Sequence, residues 1–281
     1  TVERIAQTVN RLRGTGQAVA QQPIVHVPDR RSAPLTPMQE RIRFLEELHP
    51  GRPVYNAPSG HRFRGPLDVA KFRSALQTMV QRHAALRTAI GTDEHGAAAQ
   101  VIAPRVDFDI PLIDLSTMPE DEREAELASR MQQLADQPLD IHRAPLFHMA
   151  LYKMGPEDHA FMFVPHHLVW DGWSFDIYQT ELSALYGALV RGQKHTLPEP
   201  PVSMGDYAQW YADWMAQPEF TRQLDFWKQR FARMPAPRAA KTDMPRRAGM
   251  SGNGGVNWIH IDQPTTQRLR DPSTRRHVWM S

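Results

Sequence analysis

The residues best suited to chemistry lie in one short segment, His166-His167-Leu168-Val169-Trp170-Asp171-Gly172. Imidazole is poised near neutral pH and can accept, donate or hold a proton. The aspartate can fix a ring or pair with a distant cation, and the glycine lets a backbone or substrate come close. A chance match to the four fixed positions arises on the order of once in several hundred sequences. Successive side chains of an extended segment point to opposite faces, so the two imidazoles cannot share one job. One faces a cleft and the other packs inward; His167, nearer the loop, is the expected reactive ring. Asp171 reads better as half of a buried ion pair than as a direct base. Its natural partner is an arginine of Arg82-His83-Ala84-Ala85-Leu86-Arg87-Thr88, and breaking such a pair would cost about 3–5 kcal/mol.

Other chemistries are poorly served. A metal site needs three or four convergent ligands, and neither HxxxH nor HExxH spacing occurs around the pair. Cysteine is absent, which removes disulfides, thiolate zinc sites and any acyl-cysteine intermediate. The 33 basic and 31 acidic residues leave a formal charge of +2, a near balance that points away from nucleic acid. The apolar runs reach strand length, short of the roughly 20 residues a membrane helix needs. With Thr1 first and no signal peptide visible, the expectation is a soluble cytoplasmic piece of a larger protein.

The elements that must position the motif follow from periodicity and capping. Ala160 to Pro165 is a nearly unbroken apolar run, and Phe161 to Val164 is apolar on both faces, which predicts a central strand covered on both sides and delivering the histidines at its end. Leu146 to Met154 should pair with it through the Gly155–Asp158 turn. After the motif, Ser174 is expected to cap a helix that buries Tyr178, Leu182, Leu185 and Leu189 and stops at Gly192. Thr36, Pro37 and Gln39 open another helix, with Met38, Ile42, Leu45 and Leu48 as its buried stripe. Asp68 caps a third, built on Val69, Phe72, Leu76, Met79 and Val80. Thr117 with Glu120 reads as the capping box of a fourth. Strands are expected at Leu86–Ile90, Ala99–Ile102 and Val256–Ile261. Trp170 and Trp173 read as packing residues, and the aromatics from Tyr207 to Phe231 as core.

The division that results is a short helix over 1–13, a linker over 14–33, a lobe over 34–192, a Pro-rich linker over 193–203 and an incomplete second lobe over 204–281.

Pro165-His166-His167-Leu168-Val169-Trp170-Asp171-Gly172-Trp173-Ser174 resembles the signature of condensation domains of nonribosomal peptide synthetases. Three further segments agree in order. Leu35-Thr36-Pro37-Met38-Gln39 with Phe44-Leu45 is similar to the family's opening motif. Arg82 to Thr88 is similar to its second, with Ala84 where glutamate is common, and Asp206-Tyr207-Ala208-Gln209-Trp210 to its fourth. The segment 1–13 is similar to the last helix of a carrier domain.

The resemblance implies an α/β, chloramphenicol-acetyltransferase-like fold, an α+β sandwich with helices packed on a mixed sheet, followed by the start of a second lobe. It implies amide-bond formation between a thioester donor and an amine acceptor. Upstream and downstream carrier domains would deliver both on 4'-phosphopantetheine arms, with an adenylation domain nearby. The domain itself would bind no cofactor and no metal. His167 would be catalytic, His166 and Asp171 mainly structural, and the Gly172 amide would contact the reacting groups, with Arg82 and Arg87 supporting the site. An α-ammonium has a pKa near 8, so a modest acceptor suffices. Aligning two tethered reactants is worth up to roughly 7–11 kcal/mol, and whether His167 acts as base or by positioning stays open. The later motifs of a second lobe are absent from these 281 residues. The competing expectations are a truncated module that only docks carriers and an acyltransferase with a soluble alcohol or amine acceptor. The intact histidine pair argues against a heterocyclisation domain, and Trp173-Ser174 against an epimerisation domain.

Overall fold

The computed structural model describes residues 2–14, 22–232, 234, 244 and 259–275. Residues 1–236 form one compact unit and 237–281 another.

In the first unit, α1 (Val2–Gly14) precedes β1 (Ser32–Pro34) and α2 (Pro37–Leu48). Then come β2 (Ser59–Arg64), α3 (Val69–Arg82), β3 (Thr88–Thr92) and β4 (Ala98–Ile102). β5 (Leu112–Asp114) and α4 (Glu120–Ala135) lead to β6 (Phe147–Gly155) and β7 (Asp158–Pro165). α5 (Gly172–Val190), α6 (Met204–Met215) and α7 (Pro218–Ala232) complete it. The second unit has α8 (Gln263–Arg275). The predicted strand at 256–261 lies outside the described residues over 256–258, and residues 259–262 are not in a strand.

The larger sheet runs β2-β7-β6-β5, with β5 parallel to β6 and the other pairs antiparallel. β7 is internal, and every residue from His159 to Pro165 is buried. Its alternate side chains feed two cores, as the two-residue period of a strand requires. Phe161 and Phe163 face Phe72, Leu76 and Met79 of α3 and Tyr178, Leu182 and Leu185 of α5. Ala160, Met162 and Val164 face Leu127 and Ala135 of α4. Helices thus cover both faces of a mixed sheet, as expected for the α/β class. A smaller antiparallel sheet, β1-β4-β3, stands beside it. α6 packs on β1 so closely that a Cβ at Gly205 would sit 3.2 Å from Ala33 Cβ.

Local start chemistry needs three corrections. α2 has its Thr36/Gln39 capping box, but its buried face is Gln39, Ile42 and Glu46; Met38 and Leu48 are exposed. α4 starts on Pro119 with no side-chain cap, so the Thr117/Glu120 box does not form. α5 is capped by Asp171 with Ser174 three residues on, so the helix begins earlier than predicted. Its end is as expected: Gly192 has φ +66°, a conformation that favours glycine. The aromatic run is also not buried core here. Phe226, Trp227 and Phe231 are exposed on α7, while Trp214 packs edge-on against Phe220.

Candidate active site

The histidine pair sits where β7 ends in a turn. The His166 amide donates to Leu146 O at 2.9 Å, the His167 amide to Tyr55 O at 2.9 Å, and the Val169 amide closes the turn on His166 O at 3.0 Å. Leu168 and Val169 point down into a cluster with Leu35, Ile42, Ile90, Ile141 and Leu146. The turn is thereby anchored by backbone bonds on two sides and by apolar packing beneath.

The two imidazoles face opposite ways, as alternation predicts. His166 is 2 % exposed. Its Nδ1 accepts from the Leu168 amide at 3.1 Å, so its ring proton resides on Nε2, which faces Glu46 Oε1 at 3.4 Å. Burial, assisted by the neighbouring His167, pushes the His166 pKa down to about 4, and burial pushes Glu46 up. His166 is a fixed neutral ring, closed to substrate.

His167 is exposed. Its Nδ1 lies 3.0 Å from Trp170 O. A carbonyl can only accept, so Nδ1 carries a proton, and in the neutral ring the Nε2 lone pair is left for a partner. Neighbouring rings therefore hold opposite tautomers, and the exposed one has the acceptor that an amine N–H would need.

Asp171 does not form the predicted ion pair. It is exposed, and its carboxylate accepts from the Ser174 amide at 2.9 Å and from Ser174 Oγ at 2.7 Å. Among the described residues no cation lies within 4.0 Å of it. The cause is local: the first turn of α5 has amides that need an acceptor, and an aspartate at the cap position meets that need. Arg82 instead binds Glu181 at 3.1 Å and donates to Pro198 O at 2.7 Å. Arg87 donates to Ala103 O, and neither arginine reaches the histidine turn. α3 is still tied to α5 by charge, through Glu181, which also takes His83 at 2.9 Å.

Gly172 opens α5, and a Cβ there would meet nothing within 4 Å. Its side therefore faces open space beside the turn, at the positive end of a 19-residue helix. Trp173 is 79 % exposed and does not pack, contrary to expectation. Trp170 is buried edge-on against Phe163, with ring centroids 5.0 Å apart. A small cavity of about 80 Å3 lies alongside, bounded by Met79, Val169, Trp170, Ile177 and Tyr178. Trp170 Nε1 and the Tyr178 hydroxyl are buried without a partner among the described residues. The sequence reading missed Glu46 and the Trp170 carbonyl. Glu46 was legible as the residue seven positions after Gln39, on the same face of α2. A backbone carbonyl leaves no sequence signal.

A family model described as "Condensation domain" matches residues 29–280. The chain belongs to this family. It is 37% identical over 262 residues to a linear gramicidin synthase of Brevibacillus parabrevis, covering 93% of this chain and 5% of that protein. Chondramide synthase cmdD of Chondromyces crocatus is 33% identical over 253 residues, covering 90% of this chain and 6% of its own. Among solved structures, the starter condensation domain of rhizomide synthetase RzmA superposes with a TM-score of 0.67 at 22% identity, covering 73% of this chain and 49% of that one. The first condensation domain of the calcium-dependent antibiotic synthetase, in complex with a substrate analogue, gives 0.64 at 25%, covering 73% and 48%. This condensation-domain chain thus spans about half the length of the solved domains it matches. It spans about one twentieth of the two curated relatives. No described helix is long and apolar enough to cross a membrane, and no described cluster of three or more His, Cys, Asp or Glu could hold a metal ion.

Proposed function

We propose that this chain contributes the histidine-bearing half of a site that forms amide bonds in nonribosomal peptide, or hybrid polyketide-peptide, synthesis. The donor is an acyl or peptidyl thioester on an upstream carrier domain, and the acceptor is the amine of an aminoacyl group on a downstream carrier. The amine attacks the thioester carbonyl, a C–N bond forms and the C–S bond breaks. One amine proton leaves, and the departing phosphopantetheine sulfur takes up a proton.

The observation that carries this reading is the exposed His167 ring, whose Nδ1 is committed to Trp170 O, so that in the neutral imidazole Nε2 is the nitrogen with a lone pair. It suits hydrogen bonding to the attacking amine and, as the C–N bond forms, acceptance of its proton. His166 and Asp171 hold the turn and the helix start, and the N-terminal turn of α5 places amide donors beside Gly172. In this reading residues 1–13 end an upstream carrier, 34–192 form the N-terminal lobe, 204–281 begin the C-terminal lobe, and 14–33 and 193–203 link them. Carriers and a nearby adenylation domain share one cytoplasmic polypeptide.

The test is single-turnover amide formation by the synthetase that carries this chain, with both carriers loaded. His167→Ala should lower the rate by at least about 10²-fold while carrier loading is unchanged. Amide formation within twofold of the wild-type rate would end the assignment.

A further inference from the structure

α2 turns two polar side chains toward the same loop. Gln39 and Glu46 are seven residues apart, hence on one helix face, and are 3 % and 8 % exposed. Gln39 Nε2 donates to Leu168 O at 3.0 Å, and Glu46 Oε1 receives His166 Nε2 at 3.4 Å. His166 Nδ1 in turn takes the Leu168 amide at 3.1 Å. The contacts close a ring from Glu46 through His166 and Leu168 to Gln39. His167 is the single residue between the two held points.

Packing does not explain the acid. The neighbouring core is apolar, made of Ile42, Leu146 and Leu168. Burying a carboxylate is costly unless its partner is specific. The proton on His166 Nε2 is that partner, and the carboxylate in turn selects the tautomer whose Nδ1 can hold the Leu168 amide.

We infer that Glu46 is a positioning residue for amide formation, acting through His166 to fix the turn that aims His167. This rests on the reading in which His167 meets the acceptor amine. Without the carboxylate the His166 ring can rotate, the Leu168 amide loses its acceptor, and His167 Nε2 drifts. A misplacement of about 1 Å is enough to lower a rate by about 10²-fold.

The experiment uses the loaded synthetase with Glu46→Leu, Glu46→Gln and Glu46→Asp, and His167→Ala alongside. Glu46→Leu should lower kcat by about 10- to 100-fold with loading of both carriers unchanged. Glu46→Gln keeps an oxygen acceptor at the same reach and should recover to within about threefold of wild type. Glu46→Asp withdraws the acceptor by one methylene and should show a smaller kcat loss of the same kind, which keeps the test decisive if Glu46→Leu does not fold. The inference is overturned if the folded Leu variant, or the Asp variant in its place, keeps kcat within twofold while His167→Ala is inactive. It is equally overturned if the loss is accounted for by poorer carrier loading, or if Glu46→Gln is as slow as Glu46→Leu. Full activity in His167→Ala instead sinks the underlying assignment of His167.

Discussion

Acid should unfold this domain partly through His166, and the effect can be sized. An exposed histidine titrates near 6.5, whereas burial holds His166 at about 4 in the fold. A lowered histidine pKa means the unfolded chain binds the proton more tightly. Its contribution is therefore intact above about pH 6.5 and is lost as pH falls toward 4. At 1.36 kcal/mol per unit, a gap of about 2.5 units amounts to about 3 kcal/mol in full, with about 2.5 kcal/mol gone by pH 4.5. Glu46 works the other way: burial raises its pKa, so its protonation in the fold as pH falls offsets part of the loss. The clean comparison is accordingly made in a Glu46→Gln background, where only the histidine of the pair titrates. Urea unfolding of Glu46→Gln and of Glu46→Gln/His166→Asn should be followed at pH 7 and pH 4.5. Between the two pH values the parent should lose about 2–3 kcal/mol more than the double variant. Equal losses would show that His166 is not buried neutral, and the division of labour between the two rings would fail with it.

Two further perturbations probe how the site is held. Asp171→Ala should cost about 1 kcal/mol in urea, the worth of a helix cap; a loss of 3–5 kcal/mol would instead restore the buried ion pair. Asp206 is fully buried and accepts from His26 Nδ1, the Val27 amide, Arg30 Nε and the Ser203 amide at 2.8–3.1 Å. Burial alone would raise its pKa, yet the Ser203 amide, His26 and Arg30 hold it well below the usual range. Asp206→Ala should cost about 3–5 kcal/mol by stranding these donors, and a change under 1 kcal/mol would contradict the anchoring of segment 26–30 to α6.

The sequence carried the parts governed by period and by local chemistry. β7 is apolar at every position from Ala160 to Pro165 because both its faces are covered, and that pattern was readable without coordinates. The burial of His166 and the exposure of His167 followed from the two-residue alternation of an extended segment. What failed was partner choice at a distance. Asp171 could satisfy either an arginine or the helix it precedes, and the nearby amide prevailed because it needs no long-range alignment. Glu46 escaped because a helix stripe was sought among apolar residues, while this one has two polar members reaching for the turn. Side-chain type alone reads Trp173 as packing and the α7 aromatics as core, yet Trp173, Phe226, Trp227 and Phe231 lie exposed.

The proposed chemistry turns on which ring nitrogen of His167 is free. Two-bond proton–nitrogen spectra of histidine-labelled protein at pH 8, assigned with His166→Asn and His167→Asn, resolve the tautomers directly. The prediction is opposite forms in adjacent residues: Nε2 protonated in His166, Nδ1 protonated and Nε2 bare in His167. A His167 ring protonated on Nε2 would leave the acceptor amine facing a donor, and would contradict that chemistry.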